Sequence, residues 1–290
     1  MAALRARQFA GPGRSARRRS RQVEPLVRRL LSFSCEGAAL AASLDAAEGA
    51  VGVLMATGGS QTRIGSHRMY ERLVKALSQH GFSCFRYDRR GVGDSAGEDP
   101  GFKGSAADIA ASATAFRKEV PALERIVGFG LCDGATALAL HSKAAGLDGL
   151  ILVNPWLVET EAGEPAPAAV RAHYAKRLAS AEGWKKLISG AVDWRKLLKG
   201  LGRISSKQMG SPLARETAAA LRDGGMRTWL LLAEGDATAI AAAQELKADA
   251  FRGLIEGRET IPTDSHTFAR PGDEAILLAA TLRALRALSD

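Results

Sequence analysis

From about residue 31 onward, short β-rich apolar runs alternate with longer helical patterns, and glycines fall at many of the joins. That alternation restricts the chain to a mostly parallel sheet covered by helices. "LSFSC" and "AALAASL" read as an opening hairpin, and "VGVLMATGG" as a buried strand ending in glycines. In "SHRMYERLVKALSQHG" the spacing of Met69, Leu73, Ala76 and Leu77 predicts an amphipathic helix stopped by Gly81. "FSCFRYDRRGVGDSAG" is a strand and glycine-rich loop, followed by a helix near 105–119, the strand "RIVGFG", a helix over 133–145 and the strand "GLILVNP". "RTWLLLAEGD" is a later strand; a helix near 238–248, a short strand within 253–262, a loop around His266 and a closing helix near 272–288 complete the series.

The alternation fails between about 156 and 210. That stretch has no strand-like run and carries Trp184, Leu187 and Ile188, then Trp194, Leu197 and Leu198, each trio spaced to lie on one helical face. The reading is a helical lid at 156–210 inserted into an α/β core formed by 31–155 and 211–290, with 1–30 as a basic extension. Charge follows the same division. Nine arginines stand against Glu24 in residues 1–30, and nine basic side chains stand against Glu182 and Asp193 in residues 171–203. The rest of the chain is net acidic, so the pI near 9.8 describes a tail and a lid, and nucleic acid is not expected as a partner. A basic, tryptophan-bearing lid instead points to an anionic or amphiphilic small-molecule acyl substrate, with Trp156, Trp184 and Lys185 as its candidate contacts.

The paired arginines near the N-terminus lead into no apolar export segment, because Glu24, Pro25, Arg28 and Arg29 interrupt it. No run of 18 apolar residues predicts a transmembrane helix. Cys35, Cys84 and Cys132 are too few and too scattered for a disulfide framework and lack metal-site spacing. A cytoplasmic protein without metal or other cofactor is the expectation.

One turn carries the chemistry. "RIVGFG" runs through Gly130-Leu131-Cys132-Asp133-Gly134 into a helix, which matches the GxSxG nucleophile elbow with sulfur in place of the serine oxygen. Glycines at both ends suit a turn too crowded for Cβ atoms. A thiolate there faces the N–H groups and the positive end of the helix dipole, while the Asp133 N–H can donate to an oxyanion.

Such a nucleophile requires an acid and then a base later in the chain. Asp236 closes the strand "LLLAEGD", and His266 lies in "TDSHTFARPGDE" just before the last helix. Glu234 and Asp264 are rival acids, but the position just past the strand end favours Asp236. The second oxyanion donor is expected in the loop after "VGVLMATGG", from Ser60 or, next to it, Gln61. His67, His80, His141 and His173 are weaker candidates, with structural roles expected for His80 and His141. "YDRRGVGDS" lacks the GxGxxG pattern and the later acidic residue of a dinucleotide site, so no nicotinamide cofactor is expected.

With these residues in place the chain resembles the α/β-hydrolase superfamily over about 31–290. More narrowly it is similar to the exosortase A system-associated hydrolases of type 1, through "GGSQTRIGSHRMY", "YDRRGVGDS", "GLCDGA", "HYAKRLASAEGWKKLISGAVDWRKLLKGL" and "TDSHTFA". In that family's pattern Pro stands where this chain has Ser60. The resemblance implies an α/β-hydrolase fold and a bacterial cytoplasmic protein encoded near exopolysaccharide and surface-protein sorting functions. Together with the motifs it gives the expected activity: hydrolysis of an ester or thioester by Cys132, His266 and Asp236. An acyltransferase using the same triad, or a scaffold that keeps the fold without catalysis, would share these features.

Overall fold

The computed structural model describes residues 28–159 and 210–289. Within them an eight-stranded sheet has the order β1-β2-β4-β3-β5-β6-β7-β8. The strands are β1 (Arg28–Cys35), β2 (Ala38–Asp45), β3 (Val51–Ala56), β4 (Ser83–Tyr87), β5 (Arg125–Leu131), β6 (Gly149–Val153), β7 (Arg227–Ala233) and β8 (Gly257–Ile261). The β1–β2 hairpin joins the edge of β4 in antiparallel fashion, and every other neighbouring pair is parallel. The helices are α1 (Met69–Gln79), a short α2 (Gly101–Gly104), α3 (Ala106–Glu119), α4 (Asp133–His141), α5 (Pro212–Gly224), α6 (Ala237–Glu245) and α7 (Asp273–Ser289).

Strand residues alternate between two buried layers. Ile126, Leu150, Leu152 and Leu230 face the layer containing α3, α4 and α5. Val127, Phe129, Ile151, Val153 and Leu231 face the layer containing α1 and α7. Because both faces of the central strands are covered, these strands read as continuous apolar runs. Their parallel register brings Gly130 level with Ala56, Leu131 with Val153, Val153 with Leu231 and Ala233 with Ile261. The ends of β3, β5, β6, β7 and β8 therefore meet along one edge, where open α/β sheets place their ligands.

Two departures from the sequence reading concern the core boundaries. The first strand begins at Arg28, inside the segment read as an extension: Arg28 pairs with Asp45 and Glu71, and Arg29 with Glu119. Its arginines belong to a half-exposed edge strand, whose outward side tolerates charge. Second, α5 had no counterpart in the sequence reading. Its signals are present, with Ser211 capping the Ala214 N–H at 3.0 Å, Pro212 in the first turn and Gly225 in a left-handed C-cap. Its buried face uses Leu213, Ala214, Thr217, Ala218 and Leu221, a stripe partly made of small and polar residues. The 1–30 extension up to residue 27 and the lid between 160 and 209, including Trp184, Lys185 and His173, lie outside the described residues. No helix among the described residues is long and apolar enough to cross a membrane.

Candidate active site

The strand-to-helix turn at the end of β5 is as tight as its glycines imply. Cys132 adopts φ 61° and ψ −127°, a strained conformation for a residue with a side chain. A Cβ on Gly130 would lie 2.7 Å from the Ala135 nitrogen, and one on Gly134 would lie 2.6 Å from the Ala56 carbonyl oxygen. Both glycines are required because β3, β5 and α4 meet here with no intervening space. The buried Tyr70 hydroxyl ties the same point from below, donating to Ala56 O at 3.0 Å and accepting the Leu131 N–H at 3.1 Å. Cys132 itself remains partly exposed, whereas Cys35 and Cys84 are buried; all three are free thiols.

Asp236 is placed by β7 and by the first turn of α6. Beyond Ala233 the chain remains zipped to the segment after β8 through Glu234 N–H to Ile261 O and Gly235 N–H to Thr263 O, both 2.9 Å. The Asp236 Oδ2 atom then accepts two bonds, the Ala239 N–H at 2.9 Å and His266 Nδ1 at 3.0 Å. The first caps α6; the second, with Nδ1–H donating, directs Nε2 away from the carboxylate. Asp264 pairs with Arg270 and Glu234 is exposed, so of the three acids Asp236 is the one that meets the imidazole.

The pKa of His266 is raised to about 10, by its bond to Asp236 first and then by a hydrogen bond with Cys132, with burial opposing both. Imidazole and carboxylate are thus directly bonded, with the Cys132 side chain acting on the same ring, and both neighbours favour the cationic imidazole.

Two residues that the sequence reading did not single out secure this arrangement. Asn154, fully buried just past β6 at φ 43°, accepts the Ala233 N–H through Oδ1 at 2.8 Å and donates through Nδ2 to the His266 carbonyl at 3.2 Å. Thr136 donates to Trp156 O at 2.7 Å, while the Trp156 N–H donates to Cys132 O at 3.1 Å. The backbone of Trp156, a candidate substrate contact, therefore buttresses the elbow. An asparagine followed by proline reads locally as a turn, so only the tertiary structure exposes the role of Asn154.

On the oxyanion side, Gln61 is bonded within its own loop. Its N–H donates to Gly58 O at 3.3 Å and closes a turn, while its side chain accepts the Ser66 N–H at 3.0 Å. Its donor is engaged within the loop. Ser60 is exposed in the same turn, and Asp133 opens α4 at the elbow.

The remaining histidines are distributed as supports. The His67 Nε2 atom meets Thr267 O at 2.8 Å, next to His266, His141 meets Lys103 O at 3.0 Å, and His80 ends α1. The "YDRRGVGDS" loop binds itself: buried Asp88 accepts the Asp94 N–H at 3.1 Å and pairs with Arg63, and Ser95 donates to Asp88 O at 2.6 Å. No cluster of metal-ligating side chains occurs among the described residues.

A family model described as serine aminopeptidase, S33 (Hydrolase_4) matches residues 62–221. That span contains the elbow but ends before Asp236 and His266, whose meeting is seen in the fold. A search of curated proteins returns no match. Among solved structures, the Pyrococcus furiosus esterase Pf2001 superposes with a TM-score of 0.60 at 12% identity over 89% of this chain and 91% of its own. The α/β hydrolase GrgF from Penicillium sp. sh18 gives 0.60 at 18% identity over 90% and 99%. Est1E from Butyrivibrio proteoclasticus, solved with ferulic acid, gives 0.59 at 14% over 90% and 100%. At these identities the likeness is one of fold.

Proposed function

Since the chain belongs to the serine aminopeptidase S33 family of α/β-hydrolases, with a thiol standing where the family's description names serine, we propose that it is a cysteine-dependent hydrolase of esters or thioesters. The observation that carries this reading is the continuous contact from Cys132 through His266 to Asp236 at the carboxyl edge of the sheet. The raised His266 pKa favours a cationic imidazole beside the sulfur, the partner that a sulfur nucleophile requires.

In the first half-reaction the Cys132 sulfur forms a bond to the acyl carbon and the carbonyl π pair moves to oxygen. The Asp133 N–H and a donor from the turn after β3 hold that oxyanion; losing one such donor commonly costs about 3 kcal/mol. The oxyanion collapses, the bond to the leaving group breaks, and the leaving oxygen or sulfur takes the His266 proton. Neutral His266 then removes a proton from water, hydroxide attacks the thioacyl carbon, and the acid departs as sulfur regains its electron pair. Amides go forward only when the imidazolium protonates the leaving nitrogen, because a thiolate leaves the tetrahedral intermediate more readily than an unprotonated amine. Thioesters and activated esters, whose leaving groups match or exceed sulfur, go forward.

The similarity to exosortase A system-associated hydrolases and the basic sequence between 171 and 203 support an anionic acyl substrate of bacterial envelope polysaccharide chemistry. The decisive experiment is mass spectrometry of the protein quenched during turnover of a short-chain thioester. We expect an acyl adduct on the peptide containing Cys132 and neither adduct nor turnover in Cys132→Ala. Turnover by Cys132→Ala equal to that of the wild type would remove the mechanism, and inert wild-type protein whose thiol resists iodoacetamide would leave a scaffold.

A further inference from the structure

The residue after the thiol brings its carboxylate to the glycine loop after β3, the loop from which α/β-hydrolases draw an oxyanion donor. Asp133 Oδ1 accepts the Gly59 N–H at 2.6 Å. It lies 2.4 Å from where a Cβ on Gly58 would sit, and the Cys132 Cβ lies 3.2 Å from that same point. Gly58 therefore packs directly against the elbow, and the Gly59 N–H already binds an anionic oxygen of the residue that follows Cys132. With the Gln61 donor engaged inside its turn, Gly59 is the residue of this loop whose N–H is bonded to the elbow.

Building on the reading of Cys132 as nucleophile, we propose that Gly59 N–H is the second oxyanion donor and that the Asp133 carboxylate is its resident ligand, displaced when a substrate carbonyl enters. A hydrogen bond to a carboxylate is about twice as strong as one to a neutral acceptor, so an ester carbonyl competes poorly for the same N–H. The carboxylate charge also opposes the negative charge developing on the acyl oxygen. The displaced side chain has a cation nearby. Burial works against the charge of Arg89, but the adjoining Asp99 and then the field of Asp133 raise its pKa above the usual value. The Asp133 backbone N–H stays available whether the carboxylate is in or out. The resting enzyme thus keeps half of its oxyanion hole filled by its own side chain, and substrates must bring enough binding energy to displace it.

The test compares wild type with Asp133→Asn, which keeps an acceptor of the same shape without the charge. Turnover of a short-chain thioester needs the oxyanion hole, whereas alkylation of Cys132 by iodoacetamide is a displacement at saturated carbon and does not. We expect the ratio of kcat/KM to the alkylation rate to rise about tenfold in Asp133→Asn. An unchanged or lower ratio would overturn the proposal and make the carboxylate a brace for the glycine turn. A second measurement stands apart from turnover: in Cys132→Ala, the Gly59 amide proton is followed by NMR while butyrate is added. It should lie downfield, shift on adding Asp133→Asn, and respond to butyrate at lower concentration in the double variant. Equal affinities and an unmoved Gly59 amide would defeat the proposal even if the wild type turns over, and wild-type inactivity with the expected NMR response would defeat only the parent function.

Discussion

One oxygen atom performs two tasks, and Asp236→Asn separates them. Asp236 Oδ2 caps α6 through the Ala239 N–H at 2.9 Å and holds His266 Nδ1 at 3.0 Å. Asparagine caps helices as well as aspartate does, so the start of α6 should survive. The bond to His266 loses its charge assistance, at a cost of about 1.5 to 3 kcal/mol in stability. Removing the largest cause of the raised His266 pKa also returns the imidazole toward neutrality, so the sulfur loses its cationic partner at neutral pH. We expect kcat/KM to fall by about 10² to 10⁴, or about 3 to 5.5 kcal/mol of transition-state stabilisation. Asp236→Ala should lose the same activity and about 1 kcal/mol more stability, because the cap goes too. Initial rates on a short-chain thioester, urea midpoints and iodoacetamide alkylation at pH 7 measure the three quantities. An Asp236→Asn enzyme within threefold of wild type would refute the assignment, as would an activity loss that tracks stability across the two variants.

Three further outcomes are expected. The raised His266 pKa implies an activity limb falling as pH rises through about 10; the same group stabilises the fold fully below its ordinary value near 6.5 and progressively less up to about 10, so kcat/KM profiles and urea midpoints should both decline there, and a flat response between pH 8 and 10.5 would count against the pair. Asn154→Ala leaves the Ala233 N–H buried without its acceptor and should destabilise by about 2 to 4 kcal/mol, read by urea denaturation, with a larger proportional loss in kcat than in KM because His266 loses its anchor. Gly134→Ala places a Cβ 2.6 Å from the Ala56 carbonyl, so soluble expression should fail or the melting temperature should drop by about 4 to 8 °C for a penalty of about 2 kcal/mol; a variant with wild-type melting would show that β3 can yield.

What could be read in the sequence was what each segment states locally. The elbow carries its own glycines, the strands buried on both faces are continuously apolar, and Asp236 ends a strand that its neighbours already define. Arg28 and Arg29 were misplaced because an edge-strand arginine and a tail arginine have the same local sequence, and only Asp45, Glu71 and Glu119, contributed by other elements, distinguish them. The helix at Pro212–Gly224 was missed for a related reason: Ala214, Thr217 and Ala218 bury a stripe too small to stand out in a hydrophobic pattern. The turn bond from the Gln61 N–H to Gly58 O, which sets how that donor points, has no sequence signature.

The parallel register explains why chain order brings the three candidate residues to one edge of the sheet. Leu131, Val153 and Leu231 lie level across β5, β6 and β7, so whatever follows each of them emerges along the same edge. Cys132 follows the first and Asn154 the second, while Asp236 lies a short step beyond the third. An acid on the loop after β7 and a base on the loop after β8 therefore face the elbow provided that β7 and β8 hold their pairing from Trp229 with Gly257 to Ala233 with Ile261. The remaining tolerance is a fraction of an ångström, which register cannot set. It falls to the few bonds that cross between loops: Asn154 to His266, Trp156 to Cys132 and Asp133 to Gly59. Two of these three use side chains whose sequence context announces only a turn or a helix start. In this chain the side chains proposed to do the chemistry are legible because they sit at strand ends, while those that set their geometry are hidden because their partners are remote.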